Sequence, residues 1–118
     1  MVSKSSIEDL KAVLRQFADD RDWDQFHSPK NLVMALTGEA GELIEHFQWL
    51  TEEQSRNLSE PKKAQVADES ADIQLYLLRL ADKLDLDILQ ECYRKINDNA
   101  VKYPIEKSKG KAKKYTEL

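Results

Sequence analysis

Apolar side chains recur three and four residues apart along most of the chain, and the polar stretches between these runs divide it into four predicted helices. Ile7, Leu10, Val13, Leu14 and Phe17 define the first, with Ser6 and Asp9 as a capping pair at its start and an end near Asp20. The segment RDWDQFH leads to Ser28-Pro29, a hydroxyl N-cap followed by proline at the first helical position, and periodicity then runs to about Leu50. After the polar TEEQSRNLSEP, Ser59 or Glu60 ahead of Pro61 opens a third helix that reaches about Lys83. Asp85 or Asp87 caps a fourth, which carries Ile88, Leu89, Cys92, Ile96 and Ala100 on one face and stops near Pro104. The remainder, IEKSKGKAKKYTEL, holds five lysines and a glycine and reads as a mobile tail. The expected organisation is one all-α, four-helix bundle-like domain over residues 1–104 and a tail over 105–118.

The two central helices depart from simple amphipathicity. At about 100° per residue, Leu32, Leu36, Ala40, Leu43 and Phe47 form the apolar stripe of the second helix. Glu45 falls opposite that stripe, whereas Glu39, Glu42, His46 and Trp49 share one shoulder of it. On the third helix the core centres on Val66, Ile73, Leu77, Leu80 and Leu84, with Glu69, Asp72 and Tyr76 on one shoulder and Asp68 further out. Leu75 and Leu78 make a second apolar flank, which predicts burial against another subunit and hence an oligomer.

Each central helix thus offers a carboxylate pair at i and i+3: Glu39 with Glu42, and Glu69 with Asp72. Such pairs are common on solvated helix faces. Two pairs on facing core shoulders would repel each other unless cations neutralised them, and an all-oxygen set suits Mg²⁺, with Mn²⁺ as a substitute. A di-iron bundle would want Glu-x-x-His motifs, which Glu39, Glu42 and Glu69 do not begin. Mg²⁺ held by few carboxylates keeps waters and takes substrate phosphates, which points to phosphoryl chemistry. Trp23, Phe26 and Trp49 offer flat faces for a base, and Lys95 with Asn99, at i and i+4, could reach phosphate or sugar oxygens. His27, beside Ser28-Pro29, caps or packs as readily as it binds, and His46 reads as structural.

Composition narrows the partners. The 118 residues carry a net charge of −4, so no overall basic field exists to hold a nucleic-acid backbone. A single cysteine, Cys92, forms no intrachain disulfide, MVSKSSIEDL lacks a signal-peptide core, and no apolar run is long enough for a membrane span. A cytoplasmic protein is expected.

The order Glu39-x-x-Glu42 then Glu69-x-x-Asp72 resembles the all-α nucleoside triphosphate pyrophosphohydrolases of the MazG-like superfamily. RDWDQFHSPKNLVMALTGEAGELIEHFQW, ADESADIQLYLLRLA, KINDNAVKYP and KKYTEL are most similar to its dCTP pyrophosphatase branch. The resemblance implies Mg²⁺-dependent hydrolysis of dCTP, or a modified dCTP, to dCMP and diphosphate, with Glu39, Glu42, Glu69 and Asp72 as catalytic metal ligands. It implies substrate contacts from Trp23, His27, Trp49 and Tyr76, with Lys95 and Asn99 near the triphosphate or sugar. It also implies a homo-oligomer, commonly a tetramer built from dimers, with pockets formed at subunit contacts. Leu14 and Asn97 lie where the branch varies around the base pocket, which leaves a broader dNTP pyrophosphohydrolase as the second reading. A non-catalytic helical nucleotide-binding oligomer is the third.

Overall fold

A computed structural model describes residues 6–118, and all the regular structure in them is helical. Internal contacts divide the chain into two compact units, one running through Asp85 and the other Leu86–Leu118.

In the first unit α1 spans Ile7–Asp20, α2 Pro29–Glu45, α3 Glu52–Arg56 and α4 Glu60–Lys83, with a 3₁₀ turn at Asp24–Phe26. The caps lie where the sequence signals placed them. Ser6 Oγ accepts from the Asp9 N–H, Ser28 Oγ from Asn31 and Ser59 Oγ from Lys62, so each hydroxyl satisfies an otherwise orphaned backbone donor. Helix α3 lies inside the stretch expected to be irregular. It is too short and polar to show periodicity, but Thr51 and Gln54 close a full capping box around its first turn. Helix α2 ends earlier than expected. After Glu45 the His46 and Phe47 N–H groups bond to Leu43 and Ile44 at i−3, and the ladder tightens into turns that carry the chain to Leu50.

Helix α4 packs against both α2 and α1. Its inward face differs from the expected one. Leu78 is fully buried and Ala81 nearly so, while Leu84 is 49% exposed and Ile73, Leu77 and Leu80 are only half-buried. Leu78, assigned from sequence to an intersubunit flank, is therefore core of this chain. A helix with two apolar flanks has two possible inward faces, and periodicity alone cannot choose between them. On α2 the expected stripe holds: Leu32 is buried, Leu36, Ala40 and Leu43 are half-buried, as is Phe47 in the turns beyond its end, and Glu45 is exposed. On α1 the buried positions are Lys11 and Ala18, whereas Leu10, Val13 and Phe17 stay substantially exposed. Arg15 ties α1 to α4 by two hydrogen bonds from its guanidinium to Asp82, at 2.9 and 2.6 Å.

The second unit begins with α5, Ile88–Lys102, capped by Asp87. Asp85 has a different role, since its positive φ of 54° ends α4 in the left-handed region. The face expected to pack is open: Leu89, Cys92, Ile96 and Ala100 are exposed, and only Ile88 is half-buried. The C-terminal stretch is more ordered than its composition implied. It forms α6 at Ile105–Ser108 and a 3₁₀ turn at Tyr115–Glu117, where the Tyr115 ring meets Tyr103 edge-on at 6.2 Å. No described helix is long and apolar enough to cross a membrane.

Candidate active site

The C-terminus of α1 builds one wall of a cavity. Asp22 takes a left-handed conformation with φ of 53°, a conformation that aspartate tolerates better than most residues. This lets the Trp23 N–H reach back to the Ala18 carbonyl at 2.9 Å and the Asp22 N–H to Asp19 at 3.1 Å, a Schellman closure. The residue after such a closure usually packs on the last helical turn, and here the Trp23 indole meets Phe17 edge-on at 5.7 Å. His27 then meets Trp23 edge-on at 6.3 Å. The wall is therefore set by one turn of backbone.

Facing it is one stripe of α4. Glu69, Asp72, Tyr76 and Arg79 follow each other at three- and four-residue steps, so they share a side of the helix. Together with Glu39 of α2, residues of the two walls line an open cavity of about 250 Å³: Leu14, Phe17, Ala18, Trp23, His27, Leu75 and Tyr76, with Glu39, Asp72 and Arg79 as its charged members. That volume is a little below the roughly 300 to 1,000 Å³ of pockets for drug-sized ligands, and suits a single ring.

At the acidic end, Glu39, Glu69 and Asp72 each offer an oxygen within 4.8 Å of the others. Oε2 of Glu39 and Oε2 of Glu69 are buried without a hydrogen-bond partner. Buried acceptors of this kind call for a compensating donor or ion. The carboxyl of Glu39 is pushed up to about 7, first by a shared hydrogen bond with Glu69, then by burial and by Glu42 and Asp72. Burial raises Glu69 as well, with Glu42 and Asp72 adding to the shift. All four acidic groups therefore feel one another, although Glu42 is exposed and lies outside the tight trio. Crowding of like charges that costs a proton is relieved by a divalent cation, and the donor set is all oxygen. The residues present fit a hard metal ion.

Behind Glu69 stands His46, whose Nδ1 lies 3.3 Å from Lys62 Nζ. Its Nε2 lies 3.9 Å from Glu69 Oε1. His46 is half-buried and gives Glu69 a polar neighbour beyond hydrogen-bond range.

Of the residues singled out from sequence, Glu39, Glu69 and Asp72 converge with Glu42 beside them, and Trp23, His27 and Tyr76 line the same cavity. Trp49 does not. It is 85% exposed because α2 ends before it and the following turns take it off the helix face it would have shared with Glu42. Phe26 is 60% exposed and outside the cavity lining. Lys95 and Asn99 lie one turn apart on exposed α5, in the second unit. Arg79 was missed. Its signal was present, as the one charged side chain in LYLLRLA and one turn beyond Tyr76 on the stripe of Glu69 and Asp72.

The sequence profile of the MazG-like family matches residues 35–118, which includes all four carboxylates. The chain belongs to the MazG-like family. It is 41% identical over 118 residues to the dCTP pyrophosphatase 1 of Bos taurus, covering 98% of this chain and 70% of that protein. The human dCTP pyrophosphatase 1 is 37% identical over 115 residues, covering 96% and 68%. Among solved structures, a pyrophosphatase from Archaeoglobus fulgidus superposes with a TM-score of 0.79 at 37% identity, covering 83% of this chain and 92% of that one. The chain is thus an enzyme of the pyrophosphohydrolase type within an all-α fold.

Proposed function

We infer that this MazG-like enzyme hydrolyses dCTP, or a base-modified dCTP, to dCMP and diphosphate, with Mg²⁺ as its cofactor and Mn²⁺ as a substitute. The observation that carries the reading is an acidic trio with two buried unpartnered oxygens, two members of which, Glu39 and Asp72, line a ring-sized cavity together with Trp23 and Tyr76. A base in the cavity leaves its phosphates to run toward the carboxylates. Glu39, Glu42, Glu69 and Asp72 would hold the metal, which when bound neutralises polyphosphate charge and lowers the pKa of an attacking water. The chain's own residues supply position. Trp23 and Tyr76 give the ring aromatic faces, His27 a polar edge, and Leu14, Phe17 and Leu75 an apolar lining.

The working form is a homo-oligomer, with a tetramer built from dimers as the expected assembly. Exposed Phe17, Val13 and Leu10 on α1 and exposed Leu89 and Ile96 on α5 support it. In such an assembly Trp49 and the Lys95–Asn99 pair serve a nucleotide pocket completed between subunits. Leu14, Phe17 and Leu75 read shape and not hydrogen-bond pattern, which favours a second reading with a wider set of dNTPs. Incubation of the purified chain with Mg²⁺ and a panel of dNTPs separates these. dCMP and diphosphate from dCTP support the assignment, whereas dCDP and inorganic phosphate as sole products would sink it. Equal kcat/KM across the panel would select the broader reading.

A further inference from the structure

Arg79 is the most thoroughly buried cation beside the cavity, at 3% exposure. Three corners of its guanidinium are engaged: Nη2 donates to Asp24 at 2.8 Å, Nη1 to Asp82 at 3.2 Å, and Nε to His27 Nδ1 at 3.1 Å. Asp82 is held in turn by Arg15, and Asp24 by Lys83. The fork therefore cannot swing. A guanidinium has no acceptor and does not give up its proton, so the His27 nitrogen it touches must be unprotonated. The only proton left to a neutral imidazole is on Nε2. That nitrogen has no partner among the described residues, and His27 lines the cavity, turned edge-on to Trp23.

We propose that Arg79 is a positioning residue: by occupying His27 Nδ1 it fixes the imidazole as an Nε2–H donor toward the cavity, so this wall selects a ring that presents an acceptor to it. The acceptor class is a ring carbonyl or unprotonated ring nitrogen, both of which a cytosine carries. Burial and the neighbouring cation also push the His27 pKa down, in keeping with a neutral ring at working pH. The proposal rests on the nucleotide reading of the cavity and adds the direction of one hydrogen bond to it.

The test uses the full chain labelled with ¹⁵N-histidine. His27 and His46 are its two histidines, so the spectrum of His27→Gln assigns both. At pH 8, as a condition that keeps a ring of ordinary pKa near 6.5 neutral, His27 should show an unprotonated Nδ1 and a protonated Nε2, and addition of dCMP should move the Nε2 signal. A proton on Nδ1, or His27 signals unmoved by dCMP, overturns the proposal. Kinetics on dCTP supply the second arm. Arg79→Met should raise KM by about tenfold with a smaller change in kcat, and should add nothing further in a His27→Asn background, because it acts through that ring. An undiminished effect in that background overturns the proposal. Arg79→Lys keeps a cation against Asp24 and Asp82 but lacks Nε–H, and it enters the same cycle where Arg79→Met does not fold. Failure of the functional reading is separate: the wild-type chain would then leave dCTP intact while the NMR arm still reports the ring and its response to dCMP.

Discussion

The proton on Glu39 is the residue-scale counterpart of a metal ion. Its carboxyl holds that proton up to about 7 because Glu69 shares it and burial, Glu42 and Asp72 all disfavour another negative charge. The folded-state value lies above the ordinary 4.5, so without metal the folded chain binds a proton that the unfolded chain has lost. Stability from this group is therefore fully present below 4.5 and falls as pH rises through about 7. A divalent cation replaces the proton and gains most where the proton has left. The thermal shift on adding Mg²⁺ should accordingly be larger at pH 8 than at pH 5.5, with proton release on binding near neutrality by calorimetry in buffers of differing ionisation enthalpy. A shift independent of pH would count against metal binding at this cluster. Removing charge while keeping shape tests the ligands directly. Asp72→Asn and Glu42→Gln should each lower kcat by about a hundredfold or more while far-UV circular dichroism and the melting transition persist. Loss of folding would assign those side chains to structure instead.

At the scale of elements, the turn after α1 matters as much as the helices it joins. Asp22 occupies a left-handed conformation that costs a β-branched residue roughly 1–2 kcal/mol, so Asp22→Val should lower unfolding free energy by about that amount and raise KM by displacing Trp23. Asp22→Asn should be nearly neutral in urea denaturation, since asparagine accepts the same backbone. The α1–α4 tie gives a second test. Arg15 holds the Asp82 carboxyl below its ordinary range, so the stability it contributes is present at neutral pH and lost as pH falls through the depressed folded-state value. Asp82→Asn should destabilise the chain by about 1–3 kcal/mol at pH 7, with a smaller deficit in acid, because buried Arg79 loses a charged acceptor as well.

Much of this level was legible in the sequence, and for identifiable reasons. Ser6, Ser28 and Ser59 marked helix starts because a hydroxyl before a run of apolar periodicity satisfies donors that nothing else can reach. Glu39, Glu69 and Asp72 come together because each sits on a shoulder of its helix that α2–α4 packing turns toward the other. Three things were not legible. The inward face of α4 depended on which of two apolar flanks met α1 and α2, and Leu78 rather than Leu77 fills that place. The early end of α2 came from i−3 bonds that no glycine or proline announced, and with it Trp49 left the expected face. The Arg79 network joins residues more than fifty positions apart, Asp24 and His27 with α4, a pairing visible only once the Asp22 turn is formed.

At the scale of the whole molecule, the described residues leave large apolar side chains exposed on three helices. Leu10, Val13 and Phe17 on α1 are each about two-fifths exposed, Met34 and Ile44 on α2 are 62% and 60% exposed, and Ile96 on α5 is 61% exposed. Single exposed side chains are ordinary, but rows of them at helical spacing mark contact surfaces. Their burial between copies would supply the hydrophobic stabilisation that the four fully buried apolar residues among those described, two of them alanine, do not. The chain should then sediment as an oligomer at micromolar concentration, with a melting temperature that falls on dilution. Ile96→Glu or Val13→Glu should shift the equilibrium toward smaller species and lower dCTP turnover in proportion, and added protein should restore part of it by mass action. Trp49 reports the same equilibrium optically: its emission should move to the red as the assembly dissociates, provided the indole sits at a subunit contact. A monomer at those concentrations with full kcat would separate the active site from oligomerisation, and would confine the pocket to the Glu39–Trp23–Arg79 cavity of one chain.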